Sequence, residues 1–148
     1  TATGFSINAA GVGILVFDGT GFSVSTSGSG TKELDVDSTN HDLTVKNFTK
    51  LGSGNAAIKV KKLTGTTAAS EGGFTLIAHG LTQSKIIGVT CHVHQSAGGF
   101  KVLPNETQEA ESQYALYIGT TDMSLILHPT NSGAILSSAI TICVIYER

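Results

Sequence analysis

The sequence predicts an all-β chain: a short-strand, glycine-rich stem over residues 1–50, a neck over 51–73 and a C-terminal β-sandwich, jelly-roll-like head over 74–148. Three observations predict it. Eighteen glycines, 15 serines and 19 threonines make up 52 of the 148 residues, a mix that suits turns and narrow strands. Apolar residues recur at every second position in run after run, the period of a strand with one face buried. Helical patterning is nearly absent, with only 105–111 suited to a helical turn or an exposed acidic loop. A hydrophobic content of 40% provides for a core, and the length suits one domain or one domain with a small appendage.

The stem strands are read at 4–8, 13–17, 21–26, 31–37 and 42–47. Phe22 and Val24 alternate with Ser23 and Ser25, Leu34 and Val36 with Glu33, Asp35 and Asp37, and Leu43 and Val45 with Thr44 and Lys46. Between them, Asp18-Gly19, the Ser-Gly repeat at 27–30 and Ser38-Thr39-Asn40 provide turn chemistry. Each rung offers only two or three apolar side chains, too few to offset the conformational entropy of ordering it alone. Such a ladder needs partners, either a solenoid stack or several chains wound together as in a fibrous shaft. Residues 51–73 change character, with Leu51-Gly52-Ser53-Gly54 leading into a Lys-rich run and a Thr-rich one. The head strands follow at 74–78, 85–94, 100–103, 114–118, 123–127 and 139–146. In the second of these, Ile87, Val89, Cys91 and Val93 share the core face, while Ile86, Gly88, Thr90, His92 and His94 share the other.

A net charge of −2, with no long basic face, argues against nucleic-acid binding. The longest apolar stretches, such as Ile14-Leu15-Val16-Phe17, are far too short for a membrane-spanning helix, so no membrane insertion is expected. No signal peptide opens the chain and no Met does, so Thr1 is read as either a cut boundary or a processed end of something longer. Cys91 and Cys143 read as small buried hydrophobes. There is no Gly-x-Ser-x-Gly elbow, no His-Glu-x-x-His and no phosphate-binding Gly-x-x-x-x-Gly-Lys loop, so an enzyme is not expected. The carboxylates Glu33, Asp35 and Asp37 alternate opposite Leu34 and Val36, as on a solvated strand face or, with further ligands from loops, a cation site.

Binding chemistry is expected on loops displayed by the strands, at 95–99, 104–113 and 128–136. Gln95, Asn105, Glu106, Gln113 and Asn131 carry amide or carboxylate groups able to bond sugar hydroxyls. Tyr114 and Tyr117 either stack on a sugar or complete the core. His92-Val93-His94 places two imidazoles on one strand face, suited to half of a metal site or to a polar outer face. Three copies around an axis would surround one transition-metal ion with six imidazole nitrogens. Lys59, Lys61 and Lys62 form a basic cluster that guards a strand edge, neutralises an acidic neighbour or meets acidic glycans.

The run from Ile58 to Thr67, then Glu71 to Leu81 and Ser84 to Val89, resembles the shaft-to-head junction of bacteriophage tail fibre and receptor-binding proteins. The closing Ile140-Thr141-Ile142-Cys143-Val144-Ile145-Tyr146-Glu147 resembles the last strand of such heads. The resemblance implies a homotrimer with a β-structured stem and a head that binds a bacterial cell-surface glycan or outer-membrane protein, carried on the virion and acting at the host surface. The pair His92 and His94 is similar to the metal-binding His-x-His pairs on the axis of some long tail fibre tips, which carry several such pairs where this chain has one. The alternatives are a secreted bacterial carbohydrate-binding or adhesin module and a structural virion decoration protein.

Overall fold

The computed structural model describes residues 5–9, 12–18, 21–25, 32–37, 42–46, 48–50, 53–95, 99–105 and 107–148. They are mostly antiparallel β-strands, and the only helical segments described are two 3-10 turns at Gln83–Lys85 and Gly133–Ile135. The chain divides into two compact units, Thr1–Ala57 and Ile58–Arg148.

The first unit is a meander of five strands in sequence order: β1 (Phe5–Ala9), β2 (Val12–Asp18), β3 (Gly21–Ser25), β4 (Lys32–Asp37) and β5 (Asp42–Val45). A two-residue strand, β6 (Thr49–Lys50), follows. Each strand turns back on its neighbour because short connections favour antiparallel pairing. The register aligns Phe5, Phe17, Phe22, Val36 and Leu43 in one cross-strand row and Ile7, Leu15, Val24, Leu34 and Val45 in another. The separators at 27–30 and 38–40 lie outside the described residues, apart from the strand ends that flank them.

The second unit contains two antiparallel sheets. The larger has the order β10 (Lys101–Val102), β9 (Ile86–His94), β13 (Ala139–Glu147), β7 (Ala57–Thr66). The smaller has the order β11 (Tyr114–Ile118), β12 (Asp122–Leu127), β8 (Phe74–Ala78). Alternation decides which side chains are buried: Cys91 and Val93 from β9, Ile140, Ile142 and Val144 from β13 and Leu63 from β7 face the same cluster as Met123, Leu125 and Leu127 from β12. Val102, Tyr114 and Ile135 complete it. Gly65 marks a close approach, since a Cβ there would lie 2.7 Å from the Ile77 Cδ1 of β8.

Two sequence expectations change here. Residues 51–73, expected as a neck, contain the ten-residue β7, whose Leu63 is buried in the core and whose residues Ile58–Thr66 pair with β13. The lysines at 59, 61 and 62 obscure its alternation, yet Lys61 sits on the core side and donates to the His79 carbonyl at 2.7 Å. Ile87, expected in the core with Val89, Cys91 and Val93, is exposed, because the register with β13 shifts there: Gly88 pairs with Ile145 and Ile86 with Tyr146, so Ile87 is left over as a bulge and Ile86 packs against the buried cluster instead.

Candidate functional site

The candidate site is built where β11 leaves its preceding loop and β12 ends. Tyr114 pairs with Leu127 and points into the core, whereas the next pair, Ala115 and Ile126, lies on the opposite, outer face of the smaller sheet. A pocket of about 300 Å³ opens there. Ala115, Ile126 and Pro129 give it an apolar lining, and Asn105, Thr107, Gln113 and His128 add polar groups. A small concave site with few convergent polar groups is the usual form of a ligand site.

Backbone bonding makes this rim a built structure. The Asn105 N–H donates to the Tyr114 carbonyl at 2.9 Å, the His128 N–H to the Gln113 carbonyl at 3.0 Å, and the Gln113 N–H to the Asn131 carbonyl at 2.8 Å. Asn131 Oδ1 accepts from the Glu111 N–H at 2.6 Å. Glu111 in turn accepts from the Gly133 N–H through Oε2 at 3.2 Å, and Glu71 Oε1 accepts from the Ser132 N–H at 2.8 Å. At His128 the Thr130 N–H donates to Nδ1 at 3.2 Å, so Nε2 carries the proton and serves as the ring's donor.

The outer face continues beyond the pocket. Ala115, Ile126 and Phe74 form one cross-strand row, and Tyr117, Ser124 and Leu76 form the next. Phe74 is 65% exposed, Tyr117 59% and Leu76 56%, which leaves an apolar strip with two aromatic rings beside a polar-rimmed hollow. Rings of this kind pack against the C–H faces of sugars, and amides pair with their hydroxyls.

Of the residues expected from the sequence, Asn105, Gln113 and Tyr114 are brought together at the pocket, and Tyr117 lies on the same face. Tyr114 contributes wall atoms but is itself 3% exposed, with its hydroxyl donating to the Val102 carbonyl at 2.8 Å. Burial first, then the adjacent Cys91 thiol, pushes its phenol far above the usual value, so it stays a neutral donor. Burial likewise pushes the Cys91 thiol up, against a lowering hydrogen bond from Tyr114. Asn131 braces the rim. Gln95 is buried against Ser112, its Nε2 donating to the hydroxyl at 3.2 Å, so its amide is used inside the fold rather than offered to a ligand. Glu106 lies outside the described residues. Thr107, His128, Pro129 and Phe74 join the site without having been singled out. Phe74 and Ile126 lie about fifty residues apart, and only their register makes them neighbours.

His92 and His94 occupy the outer face of the larger sheet, away from the buried cluster. His92 is held below the usual imidazole value, first by desolvation and then by repulsion from Lys101 and Lys62. Among the described residues no group of three His, Cys, Asp or Glu side chains converges as a metal site would require. The ammonium groups of Lys101 and Lys62 act on His92, and the expected ion would need the pair from three chains around an axis. No family model, no curated protein and no solved structure matches the chain.

Proposed function

We propose that this chain is a non-enzymatic phage tail-fibre or spike tip that binds a glycan of the bacterial surface as a homotrimer. The observation that carries the binding half is the pocket beside the exposed Phe74 and Tyr117 rings, where Asn105, Gln113 and His128 supply amide and imidazole groups. In this reading the two sheets of residues 58–148 are the layers of a jelly-roll-like sandwich head. The single buried cluster drawn from both sheets supports that arrangement. The homotrimer is supported by the first unit. Its register gathers ten apolar residues into two rows, yet among its described side chains none is buried: Leu34 and Val36 are half-buried and Leu43 and Val45 exposed. A single-layer sheet with one apolar face is stable only when something covers it, and copies of the same chain do so in a fibre. Many weak head contacts then multiply through avidity on the virion.

The test is binding of the full chain to an array of neutral bacterial-type oligosaccharides, with native mass measured on the same preparation. A mass of three times 15.2 kDa is expected. Gln113→Ala and Asn105→Ala should each weaken binding about fivefold, the loss of one or two sugar hydrogen bonds. Array binding that is unchanged in both folded variants overturns the pocket, and a monomer that still binds moves the reading to a secreted carbohydrate-binding module.

A further inference from the structure

We propose that the outer face of the larger sheet is a second binding site, for the acid groups of an anionic polysaccharide, and that Lys62, His92 and Lys101 are its cationic contacts. The site lies on a different sheet from the pocket. It goes beyond the proposed reading because it names acidic sugars as a ligand class, and it stands whether or not the pocket binds neutral ones.

Cross-strand pairing places these residues together. Cys143 pairs with Lys62 on one side and Thr90 on the other, and the next outward row joins Thr64, Thr141 and His92. One row further, His94 pairs with Lys101. Strand and row spacings put Lys62 and Lys101 about 14 Å apart in each direction, with His92 between them. Both lysines disfavour the charged form of His92, the residue that lies between them in register. No described residue bonds or ion-pairs the ammonium of Lys62 or Lys101, unlike Lys61, held by His79, and Lys85, held by Arg148. The acid nearest in register on that face is Glu147, opposite Ile58, two rows beyond Lys62. The threonines at 64, 90 and 141 add hydroxyl donors and acceptors between the charges.

A positive face with no acid in the same rows calls for an anion, and its chemistry selects which kind. Sparse charges set among hydroxyls match a polymer that carries one acid per sugar and hydroxyls elsewhere. A nucleic acid instead demands a dense row of phosphate contacts, which two lysines on a chain of net charge −2 do not supply. The pleated surface, with its side chains in parallel rows, also suits an extended chain lying across the strands.

The probe is polygalacturonate, with its fully methyl-esterified, uncharged form as the control, and binding is measured to the full chain at low and at physiological salt. Binding to the acid form, absence of binding to the ester and weakening by salt are expected. The double variant Lys62→Gln/Lys101→Gln should lose about tenfold in affinity with unchanged melting temperature, because both side chains are exposed. Gln113→Ala should leave the interaction intact, which separates failure of this face from failure of the pocket. Equal affinity for the ester, or retained affinity in the double lysine variant, overturns the proposal. So does tighter binding to a single-stranded oligothymidylate of matched charge. A nickel titration that moves the His92 and His94 ring signals together at micromolar metal also overturns it.

Discussion

At the scale of single residues, His92 connects the structure to a pH dependence whose sign can be worked out. Lys62 and Lys101 flank it, His94 shares its face and Glu147 is the nearest acid in register. Desolvation and the two ammonium groups disfavour the imidazolium in the folded chain, so the folded value lies below the unfolded one. The unfolded chain therefore binds more protons, and stability present above the ordinary value near about 6.5 is lost as pH falls through it. His92→Gln should flatten the fall in melting temperature between about pH 7.5 and about pH 5. A bound polyanion should act in the opposite direction, raising the His92 titration midpoint in an NMR series. If the ring titrates identically with and without the acid polymer, no anion reaches it.

At the scale of elements, the approach of β7 and β8 at Gly65 gives a prediction about packing. A methyl group at Gly65 meets Ile77 Cδ1 at 2.7 Å, and because that carbon ends a flexible side chain that can turn aside, Gly65→Ala should cost only about 1 kcal/mol in urea unfolding. Ile77→Val removes that carbon, and the double variant should recover about 1 kcal/mol of the combined loss. Strict additivity would mean that the two strands do not meet as described. Most strands were legible from alternation alone, because period-2 patterning marks a strand wherever one face is buried: the expected runs at 74–78 and 114–118 coincide with β8 and β11. The strand β7 was harder to see, since Lys59, Lys61 and Lys62 occupy both faces and long amphipathic stems cover apolar surface while their charges stay wet. The pocket was half legible. Loop amides at Asn105 and Gln113 announced themselves by type, whereas the Phe74–Ile126–Ala115 row depends on pairing between strands distant in sequence. Gln95 looked like a surface amide only because nothing local revealed Ser112 as its partner.

At the scale of the whole molecule, the two units pose different stability problems. Residues 58–148 bury their own cluster, drawn from both sheets. The described side chains of the first unit bury none, although its register concentrates aromatic and aliphatic residues into rows. Leu43→Lys with Val45→Lys places two charges in those rows and should convert the proposed trimer to monomer in light scattering, with the circular dichroism of the second unit retained. A variant that keeps the trimer mass would assign assembly to another surface.

The position of β13 has a consequence for how the chain is made. It is the strand between β9 and β7, bonded to both along most of its length, and it follows both in the chain, beginning at Ala139 where β9 ends at His94. On a translating ribosome β7 and β9 therefore wait, with the ladder groups that face β13 unpaired, until residues 139–147 have left the exit tunnel. The larger sheet closes late and over long sequence separations, the circumstance in which folding is slow and exposed edges recruit neighbours. In a nascent chain whose first unit already displays apolar rows, neighbouring copies on the same message are the nearest available surface.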